Sequence, residues 1–205
     1  MTAGSDKAQR EALAQALHAM PAAMRALPQW LMWAYVQKKG APKPAKVPYY
    51  VNGHLRGWPQ GRPKDGQATE AQPQVDQGHD LDRAALVSFD EALAVLQRSG
   101  RYDGIGFAFL PGDGLIGVDI DDAVTEDGEI SRLCQLVMTA CPSYTERSVS
   151  GRGVHIILSG EPAAFKSDAI GLEVYAGRQF FTCTGAHWSG TPAEVREIDP
   201  MAMTI

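Results

Sequence analysis

Near the N-terminus Ala12, Leu13, Ala16, Leu17 and Met20 share one helical face behind a Ser5/Asp6 cap, and Pro21 marks a stop. That spacing predicts an amphipathic helix over residues 6–20. The apolar period then shortens. Trp30–Val36 and Val47–Val51 read as strands joined by the breaker-rich KKGAPKPAK and closed by Asn52-Gly53, which predicts a hairpin. Between Asn52 and about Asp82 periodicity is lost in a polar run rich in Gly, Pro and Gln, as expected of a long surface loop or insert without chemistry of its own. Ser88-Phe89-Asp90-Glu91 is a capping box, in which Ser88 accepts from the third amide, and it opens a helix to about Ser99. Apolar strands follow at Gly104–Leu110 and Leu115–Asp121. The turn signal Pro111-Gly112-Asp113-Gly114 between them predicts a second antiparallel hairpin. A helix over 131–140 turns Leu133, Leu136, Val137 and Ala140 inward, and strands are expected at Gly153–Leu158, Gly171–Tyr175 and Gln179–Thr184. Hairpins mixed with two or three helices, without a regular βαβ alternation, indicate an α+β fold.

Composition narrows the class. The 205 residues, 44% of them hydrophobic, suit one globular domain of two lobes around a shared cleft. No run reaches the roughly 18 to 20 apolar residues of a membrane helix, and the N-terminus lacks the grading of a signal peptide, so a cytoplasmic protein without a membrane partner is expected. Cys134, Cys141 and Cys183 are odd in number and form no CxxC pair, which points to reduced core residues rather than disulfides or zinc ligands. A net charge of −5 excludes a basic coat, so nucleic-acid binding would need a local patch. Such a patch is available between Val36 and Lys64, where Lys38, Lys39, Lys43, Lys46, Arg56, Arg62 and Lys64 occur with no acidic residue. Trp58, Tyr49 and Tyr50 add rings on which bases of a template strand could stack. The alternative is a solvated loop.

Opposite charge is concentrated at Asp119, Asp121, Asp122, Glu126, Asp127 and Glu129. In a strand Val118 and Ile120 point to the core, which puts Asp119 and Asp121 on the other face about 6 to 7 Å apart. Like charges at that spacing repel unless a cation lies between them, and hard Mg²⁺ or Mn²⁺ prefers oxygen ligands. An acidic strand end in solvent remains the alternative. Glu173 repeats the pattern between inward Leu172 and Val174, and matters only if its strand lies beside that of Asp119. Between them, Ser148-Val149-Ser150-Gly151-Arg152-Gly153-Val154-His155 is a glycine-rich turn feeding a strand. Its amides, the Ser150 hydroxyl, Arg152 and His155 suit a phosphate, although a lone strand histidine is more often structural. Arg178, five residues after Glu173, sits at a turn between short strands, and Lys46 precedes Val47-Pro48-Tyr49.

Taken in order, GVDIDD, SYTERSVSGRGVH, and LEVY followed by RQFFTCTG resemble the bifunctional primase-polymerase (prim-pol) domain of phage and plasmid replication proteins, in the archaeo-eukaryotic primase superfamily. The resemblance runs from about Trp30 to Trp188 and includes a Trp-x-x-Trp pair and Lys-x-Pro-Tyr at 46–49. It implies a helical leader at 1–28, a catalytic domain at 29–190 containing the 52–82 loop, and a tail or linker at 191–205. The implied architecture is a cleft between an N-terminal α/β part and an RRM-like part. By the same resemblance, Asp119, Asp121 and Glu173 bind two divalent ions, Mg²⁺ or Mn²⁺. Ser150, Gly151, Arg152, Gly153 and His155 hold the triphosphate of a dNTP or NTP. Arg178 is a phosphate contact, and Lys46 lies near the nucleotide. The implied activity is DNA-templated nucleotidyl transfer in replication, on a single-stranded DNA template and with a helicase domain or protein as partner. Two alternatives stay open, a non-catalytic nucleotide- or DNA-binding replication module and a DxD metal-dependent nuclease.

Overall fold

Two sheets divide the strands of this chain, whose computed structural model describes residues 7–62, 74–160 and 165–197. The Ser5/Asp6 cap, Lys64 and the centre of the polar stretch lie outside the described residues. In the first sheet β1 (Trp30–Val36) pairs antiparallel with β2 (Ala45–Tyr49), as the predicted hairpin requires, with Tyr35 opposite Lys46. On its other side β1 meets β3 (Gly104–Ala108), which in turn pairs with β9 (Phe180–Thr182), giving the order β2-β1-β3-β9.

The second sheet has β4 (Leu115–Ile120) at its centre, between β6 (Val154–Ser159) and β8 (Leu172–Tyr175). Beyond β8 comes β7 (Phe165–Ser167), and β6 also takes β5 (Tyr144–Arg147) and, in parallel, the short β10 (Arg196–Glu197). Alternation along β4 works as expected. Ile116, Val118 and Ile120 are buried against α5 (Arg132–Ala140), whose Ser131 cap accepts from the Cys134 amide. Each such aliphatic side chain contributes about 1.5–3 kcal/mol by leaving water.

Predicted and observed connectivity differ at one informative place. Gly104–Leu110 and Leu115–Asp121 do not form a hairpin, because β3 belongs to the first sheet and β4 to the second. Asp113 explains the difference. Its carboxylate accepts from the amides of Leu110 and Leu115 and from Gln29 Nε2, so amides that would begin a two-stranded ladder are satisfied within the turn. The chain is therefore passed from one sheet to the other, and the Tyr175–Phe180 connection makes the return crossing beside it.

Helices cover the first sheet. α1 (Lys7–Ala16), the following 3₁₀ turn, α2 (Ala22–Arg25) and α4 (Phe89–Arg98) send Ala14, Leu17, Met24, Phe89 and Leu96 into one cluster with Trp30 and Phe107. Trp30 meets Phe89 and Phe107 edge-on at 4.9 and 5.2 Å. The Ser88 cap is as expected, accepting from the Glu91 amide. All three cysteines are free and buried.

The polar stretch departs from expectation. It holds a short helix, α3 (Asp80–Ala85), whose Asp82 is fully buried and takes a two-point ion pair from Arg56. Arg56 therefore does not belong to a basic surface patch. Tyr50 is not a stacking platform either, since it is buried and donates its hydroxyl to Asp82. The period-two and 3.6 patterns missed this because a desolvated ion pair leaves no hydrophobic signature.

The sheets pack tightly against each other at Gly117. A Cβ there would lie 2.6 Å from Phe109 Cζ and 2.7 Å from two atoms of Phe181, both buried rings of the main core. Gly117→Ala is expected to cost about 1–3 kcal/mol by overpacking. Urea unfolding checks this, with an unchanged midpoint as the contrary result.

Candidate active site

Strand register assembles the site. Asp119 is paired directly with His155 of β6 on one side and with Glu173 of β8 on the other. Register partners in a sheet share a face with Cβ atoms about 4.5–5.5 Å apart, so the three side chains are neighbours by construction. The same rung extends both ways, to Glu146 of β5 opposite His155 and to Lys166 of β7 opposite Glu173. Five strands thus present Glu146, His155, Asp119, Glu173 and Lys166 in one line across the sheet.

Exposure is graded along this line. Glu146 and His155 are buried, with side chains 1% and 3% exposed, whereas Asp119 and Glu173 are 24% and 28% exposed at the edge of the cleft. His155 stacks on Phe181 with ring centroids 4.3 Å apart and only 16° between planes. Its Nδ1 lies 3.2 Å from Glu146 Oε1, and its Nε2 lies 3.7 Å from Asp119 Oδ1.

Asp121 follows on the same face, one residue past the end of β4, where the backbone gives it room. Its amide donates to the Gly171 carbonyl, and Gly153 enters β6 one residue before Val154, the partner of Ile120. Both residues flanking Asp121 are therefore glycines. With no side chain beside it, the Asp121 carboxylate is exposed.

Like charges meet at the centre of the row. Burial pushes the Asp119 carboxyl above its ordinary value. The nearby charges of His155 and Lys46 pull it down, while those of Asp121 and Glu173 push it further up. Lys46, on β2, is thereby brought into the field of the site although it lies on the first sheet. Glu173 is compensated differently, by the Lys166 ammonium at 3.3 Å, which also meets Asp168 at 3.3 Å.

The glycine-rich turn stands at the Asp121 end. Ser148 Oγ accepts from the Gly153 amide and lies 3.0 Å from Ser150 Oγ, and the Arg152 carbonyl accepts from the Val124 amide. Gly151 sits at φ +74°, which favours glycine, and nothing comes within 4 Å of where its Cβ would be. One side of this turn is open. Arg152 is solvent-exposed and paired with Asp122 at 2.9 Å.

Arg178 is placed apart from this group. It follows Tyr175, the partner of Gly117, and its Cγ lies 3.9 Å from where a Gly78 Cβ would be. The exposed guanidinium therefore belongs to the end of the sheet away from Asp121. Sequence reading overlooked Glu146 and Lys166, both on strands too short to show a period. Glu146 had one usable signal, an acidic residue within the strand that feeds the turn leading to His155.

Among the described residues no three His, Cys, Asp or Glu side chains converge on one point as a closed metal-binding set. Nor is any helix among them long and apolar enough to cross a membrane. No protein-family model matches the chain. It is, however, similar to a protein of Nitratiruptor phage NrS-1 named DNA Primase-polymerase, 27% identical over 184 residues, which is 86% of this chain. The chain spans 22% of the length of that relative. Motif order and likeness along most of the chain thus agree, and the resemblance of this chain to a prim-pol domain is shown.

Proposed function

We propose that this chain carries the nucleotidyl-transfer site of a DNA primase-polymerase, joining dNTPs or NTPs to a strand on a single-stranded DNA template during replication of a phage, plasmid or other mobile element. The observation that carries the reading is the rung in which Asp119 stands between His155 and Glu173, with Asp121 on the same face beside an open glycine-rich turn.

Asp119, Asp121 and Glu173 are the residues proposed to hold two divalent ions. The fit rests on their donors and placement. All are hard carboxylate oxygens on adjacent strands, suited to Mg²⁺ or Mn²⁺, and the mutual repulsion felt by Asp119 is what a cation would relieve. Ion binding by Glu173 would require it to release Lys166, its partner at 3.3 Å. When bound, such ions supply the Lewis acidity that activates a 3′-hydroxyl and offsets the charge of the triphosphate.

The remaining residues bind and orient. The Gly151 and Gly153 amides donate within the turn, to the carbonyl and hydroxyl of Ser148, so these glycines are proposed to give phosphate close access to the backbone while the Ser150 hydroxyl meets its oxygens on the open side. Arg152 would exchange Asp122 for phosphate, at small cost because that pair is exposed. His155 presents Nε2 toward the reacting region, and Lys46 adds positive charge near Asp119. Arg178, farther along the sheet, is assigned an outlying contact with the substrate. Lys38, Lys39, Lys43 and Arg62, all exposed, form the surface proposed for the template, with Arg62 6.0 Å from the Trp58 ring. A helicase domain or protein remains the proposed partner.

Labelled-nucleotide incorporation on a single-stranded template, with and without Mn²⁺, tests the reading. Extension that depends on both metal and template is expected. Degradation of DNA without added nucleotides would instead indicate a nuclease, and nucleotide binding without synthesis a replication module.

A further inference from the structure

Glu146 lies beneath His155, 1% exposed, and its polar partners other than His155 are donors. The Thr184 amide donates at 3.2 Å, the Gly185 amide at 2.9 Å and the Tyr144 hydroxyl at 3.3 Å. A side chain met only by donors acts as a carboxylate, which can only accept. The proton between Glu146 Oε1 and His155 is therefore carried by Nδ1. Phe181 fixes the ring plane from its face, and Glu146 fixes the rotation within that plane.

We propose that Glu146 is the positioning residue of this site, holding His155 by Nδ1–H so that Nε2 is the nitrogen presented to Asp119 and the nucleotide. The proposal rests on the nucleotidyl-transfer reading for its kinetic consequence but not for its geometry. Glu146 touches neither Asp119 nor the turn. Its influence passes through the imidazole, much as a carboxylate behind a ligating histidine sets which nitrogen faces the reaction.

Glu146→Gln separates positioning from simple packing. The glutamine has one oxygen for the donors that Glu146 serves with two. With that oxygen kept on the Thr184 and Gly185 amides, its NH₂ faces Nδ1 and moves the ring proton to Nε2. ¹⁵N spectra of the imidazoles, assigned with His155→Ala, should show Nδ1 of His155 protonated in the wild type and a displaced His155 pattern in Glu146→Gln. An unprotonated Nδ1 in the wild type, or an unchanged His155 pattern in the variant, would overturn the proposal. The wild-type spectrum decides this even if the variant folds poorly.

Kinetics provide the second arm. Glu146→Gln should lower kcat/KM for nucleotide about tenfold or more, chiefly through KM. In the His155→Ala background the same substitution should cost less than about twofold. Equal losses in both backgrounds would make Glu146 a packing residue and overturn the proposal. A wild-type protein that makes no templated product would remove the nucleotidyl-transfer reading instead, while the ring spectra still decide the role of Glu146.

Discussion

Asp119→Asn is expected to abolish metal-dependent incorporation and, at the same time, to raise the melting temperature of the metal-free protein at neutral pH. The first effect follows from losing the central carboxylate of the row. Ion-mediated charge stabilisation is worth several kcal/mol in the transition state, so activity should fall at least about a thousandfold. The second follows from the direction of its pKa shift. Burial and the charges of Asp121 and Glu173 outweigh His155 and Lys46, so the folded protein holds the Asp119 proton more tightly than the unfolded chain does. Stability from this group is fully present below the ordinary carboxyl value of 3.8 and is lost as pH rises through the raised folded value. At neutral pH the ionised Asp119 therefore opposes folding, and asparagine removes that opposition. Added Mn²⁺ should raise the wild-type melting temperature and have a smaller effect on the variant. Full activity in Asp119→Asn would take Asp119 out of the site.

Asp82→Ala is expected to have the largest effect on stability. Arg56 reaches Asp82 through Nε at 3.1 Å and Nη2 at 2.9 Å, and Gly78 and Tyr50 add donors at 2.7 Å each. Removing the carboxylate leaves a buried guanidinium uncompensated, at a cost of about 3–5 kcal/mol. For a chain of this length that is a fall of roughly 10 °C in melting temperature. Scanning calorimetry checks it, and a change below about 3 °C would show that Arg56 finds other partners. Acid should have a related effect. Burial alone would raise the Asp82 carboxyl, but Arg56, Gly78 and Tyr50 together hold it below 3.8. Its contribution is thus intact above that value and fades as pH drops through the lowered folded one.

These two residues mark what was legible in the sequence. Asp119 and Asp121 stood out because a carboxylate pair at period two interrupts an otherwise apolar strand, and His155 and Glu173 followed the same alternation. The pairing of their strands was not legible, because register is decided by long-range contacts such as Phe181 on His155. The false hairpin at Pro111–Gly114 has a similar origin. A turn signal states that the chain bends, and Asp113 decided which sheet it joined afterwards. Arg56 and Asp82 were read as surface because charge predicts exposure until a partner 26 residues away is known. Glu146 leaves no such signal, since the four residues of β5 are too few to display a period.

The rung of five side chains is a matter of parity. Alternation by twos means that the row exists in one alignment of the strands and vanishes in the next. A single residue gained inside β8 would swing Glu173 toward the aliphatic face and bring an apolar neighbour opposite Asp119. Growth in the connecting segments carries no such penalty, which is why a chain of this design can accommodate a stretch as long as 52–82 while its short strands keep count.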